Sequence, residues 1–363
     1  MIISAIGFLA AIFVIVFAHE FGHYLAAKAC LVHVEEFSIG FGREIFSVRD
    51  LSGTIWKIGL IPLGGYVKMF GDADIASSSD FARLESMSFS QKKKAFALKT
   101  PIQRIFIAVA GPAANFLLAL VIFTAFYRLY GALIVSNQIS EVDYSSPAYI
   151  SGIIAGDKIE SIDGVKTDNF SKLHSYIALR PNQLLTIKIK RDGEILYVKV
   201  RAGAKDIVDS KKRVQTTIGF IGVKSSEPKH MHLSLYESVK ASMEDVYSLL
   251  SISTAALKQM LLGERSTNEI RGIITMAEQS GESLNSGITS FLLYIAFISV
   301  NIGFVNLLPI PLLDGGHIVL CIFEIVTKAR PSEYASRLFN KIGIVFVIFM
   351  FVISSSNDIS ALF

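Results

Sequence analysis

The chain has 363 residues, 52% of them hydrophobic, and a mean hydropathy of +0.50. So apolar a composition excludes an ordinary soluble enzyme and points to a polytopic α-helical membrane protein. The formal charge of +4 carries no nucleic-acid signature, and two cysteines, Cys30 and Cys321, do not make a disulfide framework.

An uncharged apolar run from Ile2 to Ala18 opens the chain. No Lys or Arg precedes Lys28 and no cleavage box follows, so the run reads as a retained span over 1–30 rather than a signal peptide. Residues 31–103 then form a loop. Within it, "TIWKIGLIPLGGYVKM" alternates apolar and polar at first, which predicts a membrane-associated β-hairpin bending at Gly64-Gly65. Lys92, Lys93, Lys94, Lys99 and Arg104 mark this loop as cytoplasmic. The second span covers 104–130. Its "GPAAN", Gly111 to Asn115, brings in small residues suited to close packing beside the first span, with Asn115 bracing the contact.

Charges and β-branched residues return beyond Ala132. "KIESIDGV" turns at Asp163-Gly164, and "LLTIKIKRDGEILYVKV" is a hairpin around Arg191-Asp192-Gly193. With "SSPAYISGIIAGD" before them, these segments resemble a PDZ domain of the permuted bacterial type, here over 131–226. Such domains take peptides by strand addition, which implies a ligand sensor or a size filter. Residues 227–286 follow. An amphipathic helix from about Leu235 to Leu262 suits the outer membrane surface, and Glu264 to Ser286 reads as polar and loop-rich. The third span covers 287–327. The fourth covers 338–356 and contains Lys341, whose stem can snorkel to the headgroups. Lys328, Arg330, Arg337 and Lys341 set the side between spans three and four as cytoplasmic. Both termini and the 131–286 stretch then lie on the opposite side.

The chemistry is concentrated in two stretches. His19-Glu20-Phe21-Gly22-His23 fits H-E-x-x-H. Residues four apart share a helix face, so both imidazoles can converge on one cation, with Glu20 within reach of its water. Ionisable groups at the end of an apolar span are costly and mark function. A third ligand must come from elsewhere. "NLLPIPLLDGGH", Asn306 to His317, places Asp314 in a helix interrupted by Pro309 and Pro311. Broken helices at membrane depth occur where they line a cavity. Asp314 is the favoured third ligand and His317 its rival.

These residues resemble the site-2 protease family of intramembrane zinc metalloproteases, most closely the bacterial regulator-of-sigma-E protease group. The motifs that carry the likeness are HEFGH at 19–23, GPAANF at 111–116, NLLPIPLLDGG at 306–316, GFGREIF at 40–46 and IPLGGYVKM at 61–69. The resemblance implies His19, His23 and Asp314 as ligands of one Zn2+ per chain and Glu20 as the catalytic acid/base. It implies Asn306 as a residue that holds the substrate backbone. It also implies single-span membrane proteins as substrates, such as a trimmed anti-sigma factor or signal-peptide remnants, in a bacterial inner membrane with the termini and the PDZ domain periplasmic. Two features depart from the family pattern. There is room for one PDZ domain where relatives often carry two, and Arg271-Gly272-Ile273-Ile274 stands where Gly-Pro-Ile-Gly is common. An inactive PDZ-bearing scaffold and a metal transporter are the competing readings, and neither has a use for Glu20 beside His19.

Overall fold

The computed structural model describes residues 2–71, 88–167, 170–208, 214–225, 229–263 and 270–360. They fall into two compact units, one built from 1–124, 242–250 and 270–363, the other from 125–241 and 251–269.

In the first unit α1 (Ile2–Ala29) continues straight through the histidine motif. It is followed by β1 (Val34–Arg49) and β2 (Ile55–Met69). The second long helix, α2 (Pro101–Tyr130), carries Pro112 in its interior, where the missing N–H leaves the carbonyl four residues back without its helical partner. Among the described residues four helices are long and apolar enough to cross a membrane: Ile2–Ala29, Pro101–Tyr130, Ile288–Leu307 and Tyr334–Ser360. Spans in lipid gain little from hydrophobic burial against one another, so close fit and polar contacts hold them. Ala11 and Ile15 of α1 interlock with Phe291, Ile295 and Ile298. Buried Ser299 donates its hydroxyl to the Asn115 carbonyl of α2 at 2.9 Å.

The hairpin is tighter and more folded than the alternation suggests. Its turn lies at Asp50–Thr54, where Asp50 accepts from the N–H groups of Ser52 and Thr54 at 2.8 and 2.9 Å. Gly64-Gly65 does not form the bend but lies inside β2, with Gly65 opposite Ile39. The ribbon doubles back on itself. Ile55 stands opposite both Arg49 and Glu36, and Ile58 opposite both Phe46 and Ile39. Glu36, Phe37 and Ser38 in turn face Lys68, Val67 and Tyr66, so 65–68 is an edge of this sheet.

Residues 72–87 and 264–269 of the expected loops lie outside the described residues. Where a polar loop was expected up to Ser286, the chain forms α5 (Ile273–Asn285). Its small residues explain the difference. Buried Ser280 backs onto Gly7, and buried Gly281 onto Ser4, so polar composition here serves close packing against α1 rather than solvation. The expected third span is two helices, α6 (Ile288–Leu307) and α7 (Asp314–Thr327), separated by the proline-containing segment. The last helix, α8 (Glu333–Ser360), is longer than its apolar run.

The second unit is built on a four-stranded antiparallel sheet. Its strands are β3 (Lys158–Ile162), β4 (Val165–Lys166), β5 (Leu184–Arg191) and β6 (Glu194–Arg201), in the order β4-β3-β5-β6. The helix α3 (Phe170–Ala178) and three two-stranded pairings complete it. Alternate residues Leu185, Ile187 and Ile189 of β5 point into a core with Ile159, Ile162, Leu173 and Val200. Each such side chain contributes about 1.5–3 kcal/mol on burial. Asp157, fully buried, is neutralised by Arg191 at 2.7 Å. The amphipathic segment is the helix α4 (Leu235–Leu261), begun by Ser234 and Glu237 in a capping box.

Candidate metal centre

His19 and His23 stand one turn apart on α1, and the first residue of α7 brings Asp314 to them. The three side chains form a triangle, with one ligand atom of each lying within 4.8 Å of the others. His19 Nε2 is 3.2 Å from His23 Nε2 and 3.2 Å from Asp314 Oδ2, and His23 Nε2 is 3.3 Å from Asp314 Oδ1. Zinc bonds of about 2.0–2.1 Å at tetrahedral angles put ligand atoms roughly 3.3 Å apart. The closest contacts between these side chains are of that length, so the three residues fit one zinc ion. Asp314 Oδ2 is buried without a hydrogen-bond partner among the described residues, as a carboxylate awaiting a cation would be. No other group of three or more His, Cys, Asp or Glu side chains among the described residues meets the same spacing.

The backbone of α2 shapes this site. His23 Nδ1 donates to the Ile107 carbonyl at 2.8 Å, which leaves the Nε2 lone pair for a metal. Gly111 makes room for the ring, and Gly22 lets the two helices approach until a Cβ there would lie 2.3 Å from the Ala110 carbonyl. Asn115, fully buried, reaches the other imidazole: its Nδ2 lies 3.2 Å from His19 Nδ1. The small residues of α2 thus act as expected, but Asn115 touches a ligand rather than only bracing two helices.

The segment 308–313 delivers Asp314. The helix α6 stops at Leu307, ahead of Pro309. Leu312 adopts φ +74°, a strained left-handed conformation for a leucine, and Leu313 then takes the N-cap position of α7. Gly315 follows because a Cβ there would sit 2.0 Å from the Leu308 carbonyl. Asp314 lies in the first turn of α7, where the helix dipole favours a carboxylate.

A cavity of about 760 Å³ opens beside the triangle, and Glu20, Asn306 and His317 all line it. Glu20 is 8% exposed and immediately follows His19 in α1. Asn306 is the penultimate residue of α6. His317 is not part of that group: Asp314 faces both imidazoles, and His317 borders the cavity one turn along α7. Tyr66 and Val67, on the sheet edge, form another part of the wall, as do Ile273 and Met276 from α5. The contribution of α5 and the contact of Asn115 with His19 were not foreseen. Nothing local in the sequence marks either, apart from the small residues that let these helices come close. Both cysteines are free thiols.

The profile of peptidase family M50 matches residues 7–350. A Rickettsia conorii protein named as a candidate zinc metalloprotease is 36% identical over 99% of this chain and 99% of its own length. Metalloprotease MmpA of Caulobacter vibrioides is 32% identical over 99% of this chain and 96% of its own. Among solved structures, the PDZ domain of an SdrC-like protein from Listeria monocytogenes aligns with 26% of this chain and 90% of its own, at 21% identity and a TM-score of 0.21, too weak a likeness to identify a fold.

Proposed function

Because the chain belongs to peptidase family M50 and is a zinc metalloprotease like its relatives, we propose that it cleaves transmembrane segments of single-span membrane proteins within the bilayer. The observation that carries this reading is the grouping of His19, His23 and Asp314, with closest contacts of 3.2–3.3 Å, at the wall of a cavity flanked by helices apolar enough to span.

One zinc ion per chain would be held by His19 Nε2, His23 Nε2 and the Asp314 carboxylate. Zinc in such a site supplies Lewis acidity, polarising a peptide carbonyl and acidifying water. Glu20 takes the proton of the attacking water and passes it to the departing amine. A substrate helix has its peptide groups already hydrogen-bonded, so it unwinds before cleavage. The edge at 65–68 receives the unwound stretch as an added strand, and the Asn306 amide holds its backbone. Residues 131–226 act as a PDZ domain that binds a peptide or filters substrates by size. The protein lies in a bacterial inner membrane with both termini and that domain on the periplasmic side. Its substrates include anti-sigma factors trimmed by another protease, and signal-peptide remnants.

The test is Glu20→Gln in the full-length protein, with a single-span substrate and a zinc assay side by side. Loss of cleavage with zinc retained is expected. Cleavage at the wild-type rate would overturn the assignment of Glu20 and with it the reaction.

A further inference from the structure

His23 has a fixed tautomer, because its Nδ1 can only donate to the Ile107 carbonyl, 2.8 Å away. Among the described residues His19 has no backbone carbonyl in that role. What faces its Nδ1 is the carboxamide of Asn115, with Nδ2 at 3.2 Å, while Asn115 Oδ1 is buried without a partner among the described residues. Asn115 itself is 0% exposed, on the turn of α2 after Pro112.

The two orientations of that amide have opposite consequences. With Nδ2 toward the ring, Nδ2 donates to Nδ1. The imidazole proton then sits on Nε2, pointing at Asp314 and His23, and His19 offers no lone pair there. A half-turn of the amide exchanges two atoms of nearly equal size. Oδ1 then accepts the proton of Nδ1, Nε2 is left bare, and the orphaned oxygen gains its bond. Only this second arrangement is compatible with a cation at the triangle.

We propose that Asn115 is the positioning residue of His19. Its Oδ1 accepts from Nδ1–H, fixing both the tautomer and the tilt of the ring, the task that the Ile107 carbonyl performs for His23. The inference rests on the zinc reading of the site and adds to it a fourth residue, 96 positions from its partner. The two carbonyl-type acceptors both come from α2, so that helix sets the donor properties of both histidines on α1. Pro112 and the small residues around it allow the approach.

The test uses full-length protein in detergent and zinc affinity measured by competition with a chromogenic chelator, which reads binding without catalysis. Wild type is compared with Asn115→Leu, which keeps the shape and loses the acceptor, and with Asn115→Asp, which keeps acceptor oxygens and loses the donor. Outer-shell partners of metal-bound histidine are worth about 10–100-fold in affinity. Asn115→Leu is expected to lose that factor, and Asn115→Asp to bind zinc at least as tightly as wild type. If Asn115→Leu fails to fold, the aspartate variant still decides: loss of zinc there means the donor matters, and the proposal is overturned. Wild-type affinity in Asn115→Leu overturns it as well. Both results leave the ligand triangle standing. A wild-type protein that takes up no zinc overturns the zinc reading and this inference together.

Discussion

Gly111 and His23 are in contact so close that a Cβ on the glycine would lie 2.2 Å from Nε2 of the imidazole. Gly111→Ala therefore separates helix stability from function. Alanine is the better helix former by about 1 kcal/mol, so α2 loses nothing as a helix. The His23 ring, however, must move away from the triangle it forms with His19 and Asp314. A displacement of about 1 Å at a reacting centre costs on the order of 100-fold in rate. We expect reduced zinc affinity and at least that loss of cleavage, with thermal stability of the metal-free protein near wild type. Full activity would show that His23 does not need its present position.

Asp358 of α8 clasps the start of α5. Its carboxylate accepts from the N–H groups of Gly272 and Ile274 at 2.9 and 2.8 Å and from the Thr275 hydroxyl at 2.7 Å. It is 2% exposed. A capping side chain is worth about 0.5–2 kcal/mol, and buried N–H groups left unpaired add to the loss. The first turn of α5 also walls the cavity, through Ile273 and Met276. Asp358→Ala should lower the melting temperature in detergent and raise KM more than it lowers kcat. Asp358→Asn, which keeps one acceptor, should recover part of both. An unchanged melting temperature in Asp358→Ala would rule out the clasp.

Asp50 at the hairpin tip gives a pH test. Burial works to raise its carboxyl pKa, but hydrogen bonds from the Trp56 indole, the Ser52 hydroxyl and the Ser52 and Thr54 amides outweigh it and hold it well below the usual carboxylate range. A depressed carboxylate stabilises the fold above its ordinary pKa of about 3.9, and that stability drains away as pH falls through the folded value. The protection of the Ser52 and Thr54 amides, relative to their intrinsic exchange, should fall as pH drops below about 4. In Asp50→Asn that protection should be lower at neutral pH and insensitive to acid. Protection in wild type that stays flat down to strong acid would contradict the network.

The grouping of His19, His23 and Asp314 was readable because metal chemistry demands rare residue types at short spacings. Two imidazoles four apart on a helix must share a face, and a lone carboxylate between prolines and glycines in an apolar span has few other uses. The role of Asn115 was not readable, because one amide among small residues is equally a helix-packing device until its neighbour is known. The turn at Asp50–Thr54 was overlooked for Gly64-Gly65, since glycine pairs usually signal bends. Here a close approach to Ser38, Glu20 and Val16 accounts for Gly65 instead. The helix α5 was misread because Ser280 and Gly281 look like loop residues, whereas between membrane helices small polar residues are contact residues.

The account stands on Asp314 completing the site that His19 and His23 begin, and zinc bound per chain measures this directly. Full-length wild type and Asp314→Asn, purified in parallel after zinc loading and removal of excess metal, should differ sharply. Wild type is predicted to retain one zinc per chain, and the asparagine variant little or none, because a neutral amide is a far poorer ligand than a carboxylate. Equal zinc in the two proteins would contradict the ligand set.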